Sequence, residues 1–334
     1  MEHMTSLSVV SRRVAVPSTL LLCSAIGLAP VRATAADNTF DRTVTVSGHV
    51  RLELNNGSGN VEIRGAADGK VHVVGKVTSG GWSVFGSSDK NIQDVVANPP
   101  IEQHDNVVRI GRNNSMFKNI SIDYKIEVPQ DTEIDASVAS GGMTIDGVRG
   151  PVKANSASGY LHVYNIASDT NLSAASGSID VSGIAGILRV NSASGDIVLQ
   201  NVKGDLKASA ASGGIRIANP GDRVEASSAS GSIEVNGAKS DVKVHAISGS
   251  VNVTGDPSSS RYWELKSVSG SIDIRVPPSA SFLFTAETTS GDIRTNIPVI
   301  LEEQGKHSLR AHIGSSSGRI EVHTVSGSVD VQGS

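Results

Sequence analysis

The chain has 334 residues and a formal net charge of −4, from 29 basic and 33 acidic side chains. This balance gives no overall positive field and argues against nucleic acid as a partner. Aromatic residues make up only 3% of the chain, which argues against a protein built around stacking platforms for bases or sugars.

The first 35 residues have the composition of a secretory signal peptide. Two arginines precede an apolar run from Val14 to Leu28, and a small-residue cleavage pattern, Ala33-Thr34-Ala35, follows. The run is too short to favour a membrane span, and no later segment resembles one. The only cysteine, Cys23, lies in this run, so the mature chain has no thiol for a disulfide or a metal. We therefore expect an exported protein of the periplasm, cell surface or extracellular space, without a transmembrane span in its mature form.

Residues 36 to 135 contain short alternating segments that are typical of strands. These segments are Thr43 to Val46, His49 to Leu54, Val61 to Arg64, Val71 to Val77, Val107 to Ile110 and Ile120 to Val128. The region is predicted to be either a small N-terminal β region or the degenerate first coils of the repeat described next. Residues 79 to 105 are polar and rich in Gly, and they are predicted to form a mobile insert.

From residue 136 to residue 334, a repeat dominates the sequence. Its Ser-Gly pairs recur every 18 residues, with the glycines at Gly141, Gly159, Gly177, Gly195, Gly213, Gly231 and Gly249. A fixed period indicates that one structural unit is copied and stacked. Each period contains two nine-residue halves in which aliphatic and polar residues alternate, the pattern of half-buried strands. After Gly249 the spacing lengthens, but the strand pattern continues.

The repeat predicts an all-β fold, a parallel β-solenoid with about 18 residues per coil. Burying four aliphatic side chains per coil does not offset the conformational entropy lost when 18 residues are ordered. A single coil is therefore unstable, and stacking must pair its strand edges. We expect one internal column of aliphatic residues, formed by Ile179, Ile197, Ile215 and Ile233. Gly at each chain reversal allows a positive φ without steric cost.

Several phrases of the repeat resemble those of a known family. They are Ser-Gly-Ser-Ile-Asp-Val, Ser-Gly-Asp-Ile-Val-Leu and Ser-Gly-Ser-Ile-Glu-Val, at residues 176–181, 194–199 and 230–235. The sequence is similar to a large bacterial family of exported β-strand-repeat proteins labelled "putative adhesin", with a domain of unknown function. The resemblance covers roughly residues 40 to 334. It implies a β-repeat fold and an adhesive role, and it brings no catalytic motif.

Two sets of residues are candidates for binding a partner. The first is a mild basic stripe on the outer face of the second half-repeat, which favours an anionic envelope polysaccharide. We call it the basic stripe; it consists of Lys153, Arg189, Lys207 and Lys243. The second set contains aromatic residues predicted to be exposed on loops, where such residues are common binding hot spots. Its members are Trp82, Phe85, Tyr262 and Trp263. The alternatives are a solvated charged face and aromatics that cover a solenoid end.

These features predict an exported, adhesin-like β-solenoid without catalysis, which presents loops or a polar face to an envelope polymer or a surface protein. His312 and His323 flank a turn and are the one histidine pair expected to meet, but the sequence predicts neither a metal site nor a cofactor. An alternative is a polysaccharide lyase or hydrolase, which a cluster of at least three acids or bases in one groove would favour. A second alternative is a self-assembling scaffold, because Val329 to Val331 are predicted to form a poorly capped last edge.

Overall fold

The computed structural model describes residues 38–79, 87–111, 120–258, 261–315 and 318–334. This part of the chain is all-β apart from one helix, as the alternating sequence pattern predicts. The predicted signal peptide, Trp82 and Phe85 lie outside the described residues.

The N-terminal elements contain the strands expected from the sequence and one helix. They are β1 (Thr39–Thr45), β2 (Arg51–Ser58), β3 (Val61–Ala66), β4 (Lys70–Ser79), α1 (Ser87–Ala97), β5 (Ile101–His104), β6 (Val107–Ile110) and β7 (Ile120–Pro129).

The central elements are short strands of four to eight residues. They are β8 (Glu133–Ser140), β9 (Met143–Asp146), β10 (Val152–Ser158), β11 (Leu161–Ile166), β12 (Thr170–Ser176), β13 (Ile179–Ile184), β14 (Leu188–Ser194), β15 (Ile197–Val202), β16 (Leu206–Ser212), β17 (Ile215–Ala218), β18 (Val224–Ser230), β19 (Ile233–Ala238), β20 (Val242–Ser248) and β21 (Val251–Gly255).

The C-terminal elements are also strands. They are β22 (Tyr262–Ser269), β23 (Ile272–Val276), β24 (Phe282–Ser290), β25 (Ile293–Thr295), β26 (Ile300–Gln304), β27 (Ser308–Ile313), β28 (Gly318–Ser326) and β29 (Val329–Gly333).

Within the described residues, the strands form a 14-stranded sheet A and a 15-stranded sheet B. From β8 to β23, successive strands alternate between the two sheets, and neighbours within each sheet are parallel. We call each pair of consecutive strands, one from each sheet, a layer. This arrangement of long parallel sheets is compatible with the predicted β-solenoid.

The predicted internal column is confirmed. Ile179 pairs in register with Ile197, Ile197 with Ile215, and Ile215 with Ile233. All four side chains are fully buried. Because parallel strands in register place equivalent residues directly above one another, every aliphatic position of the repeat becomes part of a continuous core.

The insert at residues 79–105 requires a correction, because residues 87–97 form helix α1 and residues 101–104 form strand β5. Ile92, Val95 and Val96 have the three- and four-residue spacing of a helix face, and all three are buried. The helix packs against β4, β1 and β7. The prediction of a mobile loop was therefore wrong for these elements, because three apolar residues within a polar segment suffice to dock a short helix.

The predicted poorly capped edge at Val329 to Val331 also requires a correction. Strand β29 lies between β23 and β25 in sheet A, and β28 lies between β22 and β24 in sheet B. Sheet B instead ends in the antiparallel strands β24, β27 and β26. The final layer of the sequence is thus an internal layer of the stack, which removes the observation that favoured the self-assembling scaffold.

Candidate binding face on sheet B

A groove of about 1190 Å³ lies on the outer face of sheet B. It crosses six neighbouring strands, β2, β8, β10, β12, β14 and β16. Its lining carries amides, hydroxyls and small apolar side chains, and contains no titratable residue. We call it the neutral groove; representative lining residues are Asn155, Ser173, Asn191, Ser209, Ala175 and Ala193.

The repeat explains why the neutral groove is uniform. From β10 to β18, each strand of sheet B ends with an outward Asn or Ser, a buried small residue, an outward Ala and then the Ser-Gly turn, so equivalent groups recur along the stack. Asn155 pairs in register with Ser173, and Asn191 with Ser209. Some polar groups bond between layers, as the Asn155 amide does to the Ser137 hydroxyl at 3.3 Å. The groove is therefore a periodic surface that offers both donors and acceptors.

The basic stripe runs along the same face, but most of its charge is compensated. Lys153 lies 3.3 Å from an oxygen of Asp135, Lys207 lies 2.8 Å from Glu225, and Lys243 lies 3.3 Å from Glu264. Arg189 forms no ion pair within the described residues. The stripe is thus the centre of a mixed row of charges, and exposed pairs of this kind contribute little energy each.

A second, smaller cleft of about 340 Å³ contains part of the basic stripe. We call it the charged cleft; its charged residues are Arg51, Glu133, Asp135, Lys153, Asp169 and Arg189. They exceed the three acids or bases in one groove that would favour an enzyme. Most of them, however, form ion pairs or hydrogen bonds with one another or with the backbone. Arg51 lies 3.1 Å from Glu133, and the Asp169 carboxylate accepts the Ile187 N–H at 2.9 Å. We find no free acid and base here facing a common space, as general acid–base catalysis requires.

Glu264, at the end of the basic stripe, gives the fold a pH dependence. The hydrogen bond from Lys266 lowers the pKa of Glu264, burial opposes this shift, and Lys243 lowers the pKa further. Because the folded pKa is lower than the unfolded value of about 4.3, the ionised carboxylate stabilises the fold above that value. This contribution is lost as the pH falls through the folded pKa.

We therefore expect that Glu264→Gln reduces the loss of thermal stability on acidification. The measurement is the Tm of both proteins from pH 7 to pH 3. Below pH 4 the difference in Tm between wild type and variant should be smaller than at pH 7. A constant difference across the whole range would contradict the assignment.

The two described members of the aromatic set lie in different environments. Tyr262 is 39% exposed and its hydroxyl donates to Glu321, which raises the pKa of Tyr262 to about 12. Trp263 is fully buried, and its Nε1 donates to the Ser240 carbonyl at 2.9 Å. The prediction of Trp263 as an exposed hot spot was wrong, because the residue occupies an inward position of β22, in register with Val242 and Ile320.

The structure does not bring His312 and His323 together. His312 lies on β27 and His323 on β28, and β24 separates the two strands. His312 pairs with Glu302, and His323 lies 3.4 Å from Glu287. In the part of the chain that the structure describes, no group of three or more His, Cys, Asp or Glu residues could hold a metal ion. No helix there is long and apolar enough to cross a membrane.

The sequence analysis missed the neutral groove. The repeat was interpreted through its inner aliphatic columns, although the outward Ala and the Asn or Ser two residues earlier also recur along the stack. Comparison of the outward-facing positions of successive repeats, as well as the inward-facing ones, would have revealed these rows.

Several solved structures are similar to this chain at low sequence identity. A putative cell adhesion protein from Clostridium sporogenes is 14% identical, with a TM-score of 0.22, and covers 89% of this chain and 100% of its own. A putative lipid binding protein from Parabacteroides distasonis is 12% identical, with a TM-score of 0.41 and coverages of 90% and 98%. A putative adhesin from Bacteroides fragilis is 14% identical, with a TM-score of 0.34 and coverages of 89% and 97%. At these levels no functional statement transfers from them.

No curated protein matches the sequence. A family model, in contrast, matches residues 49–260 and again residues 224–332. The two matches overlap, as expected where the repeat allows one model to align in more than one position. Together they span most of the two sheets, including every strand that forms the neutral groove, and the chain belongs to the Toastrack DUF4097 family.

Proposed function

We propose that this protein is an exported, adhesin-like β-solenoid that binds an extended polar polymer along the neutral groove, without catalysis. The observation that carries the proposal is the groove itself, which is long, open to one side and lined by uncharged groups. Its six strands at about 4.8 Å per layer extend over about 24 Å. This length suits several units of a polysaccharide or an extended peptide rather than one small molecule.

The chemistry of the lining favours binding over reaction. Amides and hydroxyls donate and accept hydrogen bonds to sugar hydroxyls or to a peptide backbone, and the alanines between them leave room for a chain to approach. Hydrolysis or elimination of a polysaccharide needs a positioned acid and base, and the neutral groove has neither among its lining residues. The proposed partner is therefore an envelope or extracellular polymer that contacts the groove through uncharged groups.

Two further features belong to the same proposal. In the central strands, paired residues lie 18 positions apart, as Leu161 and Ile179 do, which supports coils of about 18 residues. The N-terminal 35 residues support export to the periplasm, cell surface or extracellular space. Outside the cytoplasm, the stacked strands would present the groove to a partner along six strands of sheet B.

Blocking the groove tests the proposal. We expect Ala193→Trp to reduce binding at least fivefold without lowering the Tm, because Ala193 is exposed and lines the groove. Biolayer interferometry against peptidoglycan, lipopolysaccharide and neutral and anionic polysaccharides measures the effect. The matched control is Ala218→Trp, which lies in register with Gln200 on sheet A and should bind like wild type.

The basic stripe offers the competing explanation. Replacing Lys153, Arg189, Lys207 and Lys243 together by Gln should leave binding to a neutral polymer unchanged. If this variant loses binding while Ala193→Trp binds fully, the binding site is the basic stripe, and the proposal of the neutral groove is contradicted. Release of reducing ends from any bound polysaccharide would contradict the absence of catalysis.

A further inference from the structure

A cluster of three aromatic rings lies on the outer face of sheet A, away from the neutral groove. Tyr160, His162 and Tyr164 occupy alternate positions at and within β11, so all three point to the same side. The rings of Tyr160 and His162 stack with centroids 4.4 Å apart, and the rings of His162 and Tyr164 are 6.0 Å apart at an angle of 44°. Tyr160 is 39% exposed, and the other two side chains are half-buried.

The neighbouring layer makes room for this cluster. Tyr160 lies against Gly142, where an added Cβ would come within 2.0 Å of the Tyr160 ring. Gly142 is itself held by a hydrogen bond from its N–H to the Asn60 side chain at 2.9 Å. Any larger residue at position 142 would displace the Tyr160 ring, so the glycine allows the ring to lie at this place.

Carboxylates flank the rings in both adjacent layers. Asp146 lies opposite Tyr164 in β9, and Asp180 lies opposite His162 in β13. Burial raises the pKa of Tyr164, and the negative charges of Asp180 and Asp146 raise it further. Within the described residues neither carboxylate forms an ion pair. Asp146 accepts the Asn165 amide at 2.9 Å, and Arg64, which lies opposite Asp146 in β3, pairs with Glu62 instead.

We propose that Tyr160, Tyr164, Asp146 and Asp180 form a site for an organic cation, an ammonium or guanidinium group. Aromatic faces attract cations through their quadrupole, and the ionised carboxylates add Coulomb attraction and accept charge-assisted hydrogen bonds. An anion would meet two uncompensated negative charges, and a neutral ligand could hydrogen-bond to the carboxylates but would gain no net Coulomb attraction from them. The cation can be a quaternary ammonium headgroup or a lysine or arginine side chain of a partner protein, since both present the same chemistry.

Choline and its uncharged isostere 3,3-dimethylbutan-1-ol test the charge requirement directly. In saturation-transfer NMR and calorimetric titrations of the whole chain, we expect choline to bind at least about fivefold more tightly than the isostere. Nα-acetyl-lysine methylamide and its Nε-acetylated form provide the second arm. Preference for choline over the lysine derivative assigns a quaternary headgroup, and the reverse assigns a protein partner. Equal binding of a cation and its neutral analogue in both arms overturns the proposal, as does failure of both cations to bind.

Variants locate the site. Asp180→Asn and Tyr164→Leu should each weaken cation binding about threefold to fivefold, with unchanged thermal melts. Asp330→Asn, a carboxylate on the outer face of the same sheet but several layers away, is the matched control and should bind like wild type. Unweakened binding by Asp180→Asn and Tyr164→Leu would overturn the site. Ala193→Trp should also leave cation binding unchanged, so this site and the neutral groove can fail independently.

Discussion

Replacement of Gly195 by valine is expected to destabilise the fold by at least about 3 kcal/mol. Gly195 has φ +125°, and a Cβ there would lie 2.2 Å from the carbonyl oxygen of Gly177 in the adjacent layer. A valine therefore combines backbone strain with a clash against a main-chain atom that cannot move without disturbing the next layer. Chemical denaturation and thermal melts followed by circular dichroism measure the loss.

Gly57 offers the matched control. It has no positive φ, and an added Cβ would meet no atom within 4 Å. Gly57→Val should therefore change stability by less than about 1 kcal/mol. If Gly195→Val does not fold, Gly195→Ala introduces the same clash in a smaller form and should still melt well below wild type. A melt of either Gly195 variant that coincides with wild type would disprove the assignment of the turn.

Trp263→Ala is expected to cost about 3–5 kcal/mol, since truncation of a large buried side chain loses its transfer energy and leaves a cavity. Trp263 is fully buried and its Nε1 bonds the Ser240 carbonyl. Urea denaturation at constant pH gives the free energy of unfolding. Trp263→Phe retains most of the ring contacts and should cost less.

The neighbouring Tyr262 is the control for Trp263, because it is adjacent in sequence but partly exposed. Tyr262→Phe removes only a partly exposed hydrogen bond to Glu321 and should cost about 1 kcal/mol. Neither Trp263→Phe nor Tyr262→Phe should alter binding to polymers at the neutral groove. Equal stability of Trp263→Ala and wild type would contradict the burial of Trp263.

The inner columns were predictable because the repeat carries the same information many times. Aliphatic residues at alternate positions with a constant spacing of 18 leave one consistent register, which places Ile179, Ile197, Ile215 and Ile233 in one column. The Ser-Gly turns followed from the same spacing. The rows of the neutral groove were also present in the sequence, in the Asn, Ser and Ala residues that recur from β10 to β16, but the concavity of the groove depends on how the layers stack.

The periodic residues therefore determine the all-β fold, the parallel pairing and the identity of the core, because each layer repeats the pattern of its neighbour. The placement of β28 and β29 inside the stack, the docking of α1, the burial of Trp263 and the pairing of Lys153 with Asp135 required the tertiary structure. Each depends on contacts between segments that do not follow the period, or on side chains of different layers. A pattern along the chain specifies which face a residue occupies, whereas the neighbour it meets there is decided by the order in which the strands assemble into sheets.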